Sequence, residues 1–264
     1  MGARLGQHFL KNKSAVGKIV AALDLSKEDT VIEIGPGKGA LTFPLVNECK
    51  KISCRIVAVE KDHRLVSWLS SELVNWRRVV NVTRGDALKI LPKLINQLTN
   101  QPINYKIIGN IPYYITGKLL RLLGGLEVKP KCIVLTIQKE VAHRLLARPP
   151  KMNLLSAAVQ FWASVSLVAS ISKKDFSPPS KVDSAVIKIM PLKNYHAAHE
   201  KKYYQFIKIV FKQPRKTLFN NLRGGFKIKS EKIMTILSAF GLSGGERPQD
   251  LDVDALVKLS GFFN

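Results

Sequence analysis

The chain has 264 residues, 46% hydrophobic and 23% charged, which allows a sizeable core and argues against global disorder. Its 42 Lys and Arg outnumber 19 Asp and Glu for a formal charge of +23, which suits a polyanionic partner whose phosphates release counterions on binding; a merely solvated basic surface is the alternative. Cys49, Cys54 and Cys132 form no CxxC pair and no histidine-flanked cluster, so a zinc site is not expected, and three unpaired thiols suit a reducing compartment.

From its start at Met1 the chain shows no apolar signal core. Gly6-Gln7-His8-Phe9-Leu10 precedes a helix over Ser14–Leu23, where Val16, Ile19, Val20 and Leu23 repeat at helical spacing. His8 reads either as part of a cap over a ligand pocket or as an ordinary surface histidine. Thr30–Ile34 is a buried strand, and Gly35-Pro36-Gly37-Lys38-Gly39 turns it into a helix over Ala40–Val46. Glycines here let backbone pass close to a bound molecule. Their GxGxG spacing is one residue tighter than the dinucleotide fingerprint. Glu33, on the strand before them, suits a cationic, amine-bearing ligand better than a pyrophosphate. S-adenosylmethionine is such a ligand.

The next strand, Arg55–Val59, ends at Glu60, an acidic position that can bind both hydroxyls of an adenosine ribose. Asn47–Ser53 is expected to be a loop that absorbs the length between the two strands. Val79–Val82 is a third strand, leading to Asp86 and Ala87, where Asp86 can accept from an adenine amino group. Taken singly, Glu60 and Asp86 also fit helix caps or solvated charges. Ile107-Ile108-Gly109 closes the next strand and Thr116–Leu123 begins a helix, so Asn110-Ile111-Pro112-Tyr113-Tyr114 lies on a crossover at a strand's carboxyl end. Methylating an adenine amino group needs acceptors for its two hydrogens. The Asn110 side-chain oxygen and the Ile111 carbonyl can supply them, Pro112 fixes the backbone, and Tyr113 offers a stacking ring. A bare turn uses the same residue types. Because Glu33, the glycines, Glu60, Asp86 and Asn110 each follow a successive strand signal, they are expected along one rim of one sheet.

Lys131–Ile137 is a further strand, followed by a helix over Glu140–Ala147. Met152–Ser172 carries no charge and approaches the length of a membrane span, but its scattered Asn, Gln and Ser residues predict a helix over Leu154–Trp162 and an alternating strand over Ala163–Ile171. Phe176, in a proline-stiffened loop before a last strand ending near Ile187, reads equally as a second stacking surface or as a loop anchor. After Pro191 come an amphipathic helix over Tyr203–Lys212, a second starting at Pro214, a third carrying Ile233, Ile236, Leu237 and Phe240, and a fourth through Leu256 and Leu259. Between residues 201 and 232 basic residues abound and Glu231 is the only acid, a pattern that predicts a phosphate-tracking face.

The blocks GQHFL at 6–10, EIGPGKG at 33–39, VEKD at 59–62, GDAL at 85–88, NIPYYIT at 110–116, QKEVAHRLLARP at 138–149 and FSPPSKVDSAVI at 176–187 resemble the ribosomal RNA small-subunit adenine N6,N6-dimethyltransferases of the KsgA type, over nearly the whole chain. The resemblance implies an α/β fold: a Rossmann-like methyltransferase domain with a mostly parallel seven-stranded sheet over residues 1–192, and a small all-helical domain over 193–264. It implies S-adenosylmethionine held by His8, Leu10, Glu33, Gly35, Gly37, Glu60, Asp86, Ala87 and Asn110. The target adenine would sit at Asn110, Ile111, Pro112 and Tyr113 with Phe176 opposite, and Arg144, Arg148, Lys212, Arg215, Lys216 and Arg223 would contact RNA. The implied reaction puts two methyl groups on each of two adjacent adenines near the 3′ end of small-subunit rRNA, in the immature 30S subunit. The absent signal core and the cysteine usage point to the cytoplasm, no metal is expected, and nothing in the sequence asks for more than a monomer. FKQPRKTLFNNL at 211–222 is similar to the small-subunit branch rather than to the large-subunit resistance enzymes. The chain departs from the family pattern at Pro214-Arg215 and at Pro149-Pro150-Lys151, both bearing on the fit to RNA. A large-subunit methylase and a ribosome-assembly or transcription factor without catalysis are the alternatives.

Overall fold

The structure, a computed structural model, describes residues 8–98, 104–193 and 200–263. Gly6 and Gln7 of the first block lie outside them. In chain order the strands are β1 (Phe9–Leu10), β2 (Thr30–Ile34), β3 (Arg55–Glu60), β4 (Val80–Arg84), β5 (Tyr105–Asn110), β6 (Cys132–Gln138), β7 (Ala163–Ile171), β8 (Phe176–Ser177) and β9 (Ser184–Pro191). Seven form one sheet in the order β4-β3-β2-β5-β6-β9-β7. From β4 through β6 every pairing is parallel, and β9 joins β6 antiparallel. This is the mostly parallel, Rossmann-like α/β sheet expected from the sequence. The apolar runs of β2 and β5 are buried along nearly their whole length, as central parallel strands must be when both faces are covered.

The helices are α1 (Lys13–Ala22), α2 (Thr42–Ile52), α3 (His63–Glu72), α4 (Ala87–Leu98), α5 (Thr116–Gly124), α6 (Lys139–Leu146), α7 (Leu154–Gln160), α8 (Glu200–Val210), α9 (Leu218–Gly225), α10 (Ser230–Ala239) and α11 (Val253–Ser260). In α1, Val16, Ile19 and Val20 join Leu45 and Val46 of α2 and Leu69 of α3 in one core with Val31 and Ile56 of the sheet. The uncharged stretch resolves into α7 followed by β7. Among the described residues no helix is long and apolar enough to cross a membrane.

The chain divides into two compact units, Met1–Ala142 with Val165–Pro191, and His143–Ser164 with Leu192–Asn264. The division differs from a single cut after residue 192, because residues 143–164 pack with the C-terminal helices. Tyr203 on α8 donates its phenol hydrogen to the Ala157 carbonyl at 2.9 Å, and its ring stacks on Phe161 at 4.3 Å. The Leu192 N–H closes the same unit by donating to the Trp162 carbonyl at 2.9 Å. Within this unit α8 packs against α7, α9 and α11, around a cluster of Phe206, Phe226 and Phe263.

Two expectations are corrected. Asn47–Ser53 is not a loop: α2 continues to Ile52 and stops where Ser53 turns left-handed at φ 63°. That reversal brings Cys54 back to Cys49, with Cα atoms 4.5 Å apart, and the two are joined in a disulfide. Of the three thiols only Cys132 is free, and it is buried. The argument from three unpaired cysteines to a reducing compartment therefore falls. Nor does a helix start at Pro214. Residues before α9 form a turn, and Thr217 caps the helix by accepting from the Asn220 N–H at 3.3 Å.

Candidate active site

The sheet reverses direction of growth at β2, with β3 on one side and β5 on the other, so the carboxyl ends of β2 and β5 form a topological switch point where open sheets bind ligands. In register, Ile34 lies beside Gly109, which puts the first residues of the glycine turn next to Asn110. A cleft of about 710 Å³, open at its mouth, lies there. It is lined by His8, Leu10, Glu33, Gly35, Gly37, Glu60, Asn110, Ile111, Pro112, Tyr113 and Phe176, with Phe9, Pro36, Ala40 and Leu41. A second hollow of about 820 Å³ shares Gly35, Glu60 and Pro112 with the first and adds Asp86 and Ala87. All the residues proposed for cofactor and base are thus gathered around one rim.

Backbone hydrogen bonds aim the carboxylates. Glu60 is 5% exposed; its Oε2 accepts the Gly37 N–H at 3.1 Å, and its Oε1 accepts the N–H groups of Lys61 and Asp62 at 2.8 and 2.9 Å. It is not a helix cap; Asp62 does that work for α3. Asp86 caps the start of α4, its Oδ1 accepting the Leu88 N–H at 3.0 Å, and its Oδ2 pairs with Lys61 Nζ at 3.0 Å. The bond from the Lys61 ammonium holds the Asp86 carboxyl below the usual carboxylate range.

Glu33 is the unusual group. It lies in the interior of β2, 1% exposed, and its Oε2 has no hydrogen-bond partner. Burial, opposed by the neighbouring Thr42 hydroxyl and reinforced by Glu60, pushes its pKa up to about 8. An orphaned acceptor on the wall of a cleft is the feature an ammonium would satisfy. The glycine turn completes the cradle: Gly35 and Gly37 take φ of +68° and +57°, and a Cβ at Gly37 would stand 2.9 Å from the Phe9 ring.

Three chain segments are tied together around the cleft. Asn110 Nδ2 donates to the His8 carbonyl at 3.1 Å, which commits the amide nitrogen and leaves Oδ1 as the acceptor. His8 Nδ1 lies 3.0 Å from the Pro178 carbonyl, and β1 pairs antiparallel with β8, Leu10 opposite Phe176. His8 is therefore part of the cleft wall. Phe176 is 1% exposed, a loop anchor in the core, and it also lines the cleft. The Tyr113 hydroxyl reaches Ser180 Oγ at 3.0 Å and Ser184 Oγ at 2.7 Å. Sequence reasoning gave no role to these serines, nor to Lys61, Tyr114 and Lys118 of the second hollow; the serines, Lys61 and Tyr114 all stand in blocks quoted above, but their residue types alone assign them no task. Arg144, Arg148, Lys212, Arg215, Lys216 and Arg223 lie elsewhere, all exposed and all within the second compact unit. Among the described residues no group of three or more His, Cys, Asp or Glu side chains is placed to hold a metal ion.

Residues 2–243 match the model of the family described as Ribosomal RNA adenine dimethylase. The chain belongs to that family. Among similar members, the Ribosomal RNA small subunit methyltransferase A of Dehalococcoides mccartyi is 35% identical over 97% of this chain and 86% of its own. The protein of that name from Prochlorococcus marinus is 38% identical over 94% of this chain and 86% of its own. A dimethyladenosine transferase from Plasmodium falciparum has the same fold with a TM-score of 0.80, at 25% identity over 96% of each chain. The 23S rRNA methyltransferase ErmE shares the fold with a TM-score of 0.75, at 20% identity over 96% of this chain and 98% of its own.

Proposed function

We propose that this dimethylase-family protein transfers methyl groups from S-adenosylmethionine to the N6 amino groups of two adjacent adenines in the 3′-terminal hairpin loop of small-subunit rRNA, giving dimethyladenosines during small-subunit biogenesis. One observation carries the reading: an amide acceptor, an aromatic ring and buried carboxylates from separate strands meet in one cleft at the switch point. The names of the similar small-subunit enzymes support the choice of subunit over the large-subunit alternative, and the intact cofactor residues speak against a factor without catalysis.

S-adenosylmethionine would bring a methyl group already activated on a positive sulfonium. Glu33 would meet its ammonium, Glu60 its ribose hydroxyls and Asp86 its adenine amino group, with His8, Leu10, Gly35, Gly37 and Ala87 shaping the walls. Asn110 Oδ1 and the Ile111 carbonyl would take the two hydrogens of the target amino group, favouring the rehybridised nitrogen that attacks. Tyr113 would stack on the flipped base with Phe176 closing the slot. Transfer would then be direct displacement, the N6 lone pair forming the C–N bond as the C–S bond breaks, with S-adenosylhomocysteine leaving as a neutral thioether and the N6 proton passing to water. Positioning is the main source of rate and no strong base is required.

The six exposed basic residues are the candidate grip on RNA phosphates, four of them in the proposed helical RNA-binding domain over 193–264 and two, Arg144 and Arg148, in the stretch before residue 192 that falls in the same compact unit. A monomer suffices, since every proposed site residue comes from one chain. We place it in the cytoplasm, where small-subunit rRNA of this kind is assembled, now without help from the cysteines. Incubating undermethylated small and large subunits with tritiated S-adenosylmethionine tests the reading: label is expected in the small subunit, and label confined to the large subunit would overturn it.

A further inference from the structure

The Tyr113 hydroxyl plays no part in the chemistry proposed above, yet it is the most heavily bonded atom of the base-stacking residue. It sits 2.7 Å from Ser184 Oγ, which is fully buried at the start of β9, and 3.0 Å from Ser180 Oγ, which is 5% exposed. Ser180 Oγ also accepts the Val182 N–H at 3.4 Å, which ties it to the loop; in each bond between the phenol and a serine either oxygen can donate. Both serines belong to the segment that begins with Phe176, the other aromatic wall of the cleft. A half-buried phenol usually finds a partner, but one serine would satisfy it. Two partners, on either side of a loop corner, fix the ring's direction as well.

We infer that Ser180 and Ser184 are positioning residues for methyl transfer: through the Tyr113 hydroxyl they hold its ring at a set spacing from Phe176, and so fix the slot that takes the target base. The inference rests on the proposed adenine methylation. Neither serine touches substrate in this scheme, so their effect should fall on the rate of transfer with bound RNA rather than on RNA or cofactor affinity.

The test compares wild type, Tyr113→Phe, the pair Ser180→Ala with Ser184→Ala, and all three changes together. The readouts are single-turnover methyl transfer to saturating small subunits, with RNA and S-adenosylhomocysteine affinities measured alongside. Tyr113→Phe and the serine pair should each slow transfer roughly ten- to a hundredfold, as a misplaced reacting group does. Affinities should stay within about twofold, and the combined variant should be no slower than Tyr113→Phe alone. Wild-type rates in the serine pair, or losses that multiply in the combined variant, overturn the inference. Should the serine pair fail to fold, Tyr113→Phe decides: it keeps the ring, and a wild-type rate there overturns the inference too. Failure of wild type itself to methylate small subunits would instead sink the underlying reading.

Discussion

Asn110 is the residue on which the proposed chemistry turns. Its fold contribution is small, one hydrogen bond from Nδ2 to the His8 carbonyl at the mouth of the cleft. Asn110→Ala should leave the melting temperature within a few degrees, a bond of this kind being worth about 1 kcal/mol. It should lower single-turnover transfer by on the order of 10²-fold or more, the usual cost of losing one preorganised polar partner. Glu33 gives a pH-dependent counterpart. Its folded pKa, about 8, lies above its ordinary 4.5, so the folded protein keeps a proton that the unfolded chain gives up. Its contribution to stability is therefore present below pH 4.5 and lost progressively as pH rises from there through about 8. Glu33→Gln should flatten that part of the stability curve, read by denaturant titration at several pH values. An ammonium ligand prefers ionised Glu33, so affinity for S-adenosylhomocysteine should rise from about pH 6 to about 7.5 in wild type and lose that rise in Glu33→Gln, as calorimetry would register. Residue type and order made Glu33, Glu60, Asp86 and Asn110 legible in the sequence. The serines behind Tyr113 were not, because their role depends on an approach between segments some seventy residues apart.

At the scale of elements, the apolar runs determined the strands: β2 forms over Thr30–Ile34 as its sequence predicts, and the alternation after Ala163 is β7. Boundaries set by side-chain bonds were harder to read. Pro214 looks like a first helical residue, but the buried Asn221 amide donates to the carbonyls of Gln213, Lys216 and Thr217 and holds them in a turn, so α9 waits until Leu218. The disulfide depended on the left-handed turn at Ser53, which no spacing rule reports for a non-glycine residue. The glycine turn yields a prediction of its own. Gly37→Ala puts a Cβ against Phe9 at a φ of +57°, which should cost about 1–2 kcal/mol and shrink the melting-temperature rise produced by S-adenosylhomocysteine. An undiminished ligand-induced rise would mean that the turn is not part of the cofactor site.

For the whole molecule, charge was legible from composition and its placement was not. Residues 193–264 carry 13 Lys and Arg against six Asp and Glu, a minority of the +23, and the six candidate RNA-binding residues lie exposed in one compact unit. That residues 143–164 join the same unit rested on Phe161 meeting Tyr203 and Trp162 meeting Leu192, pairs well apart in sequence. Replacing both Arg215 and Lys216 by Ala should weaken RNA binding at low salt and reduce the slope of log affinity against log salt by about two, one for each phosphate no longer neutralised. The most direct measurement of the central claim is mass-spectrometric mapping of small-subunit rRNA from a strain lacking this modification, after incubation with S-adenosylmethionine and either wild-type protein or Asn110→Ala. The account predicts N6,N6-dimethyladenosine at two neighbouring positions near the 3′ end with wild type and almost none with the variant. Methylation of any other base, or full methylation by Asn110→Ala, would contradict it.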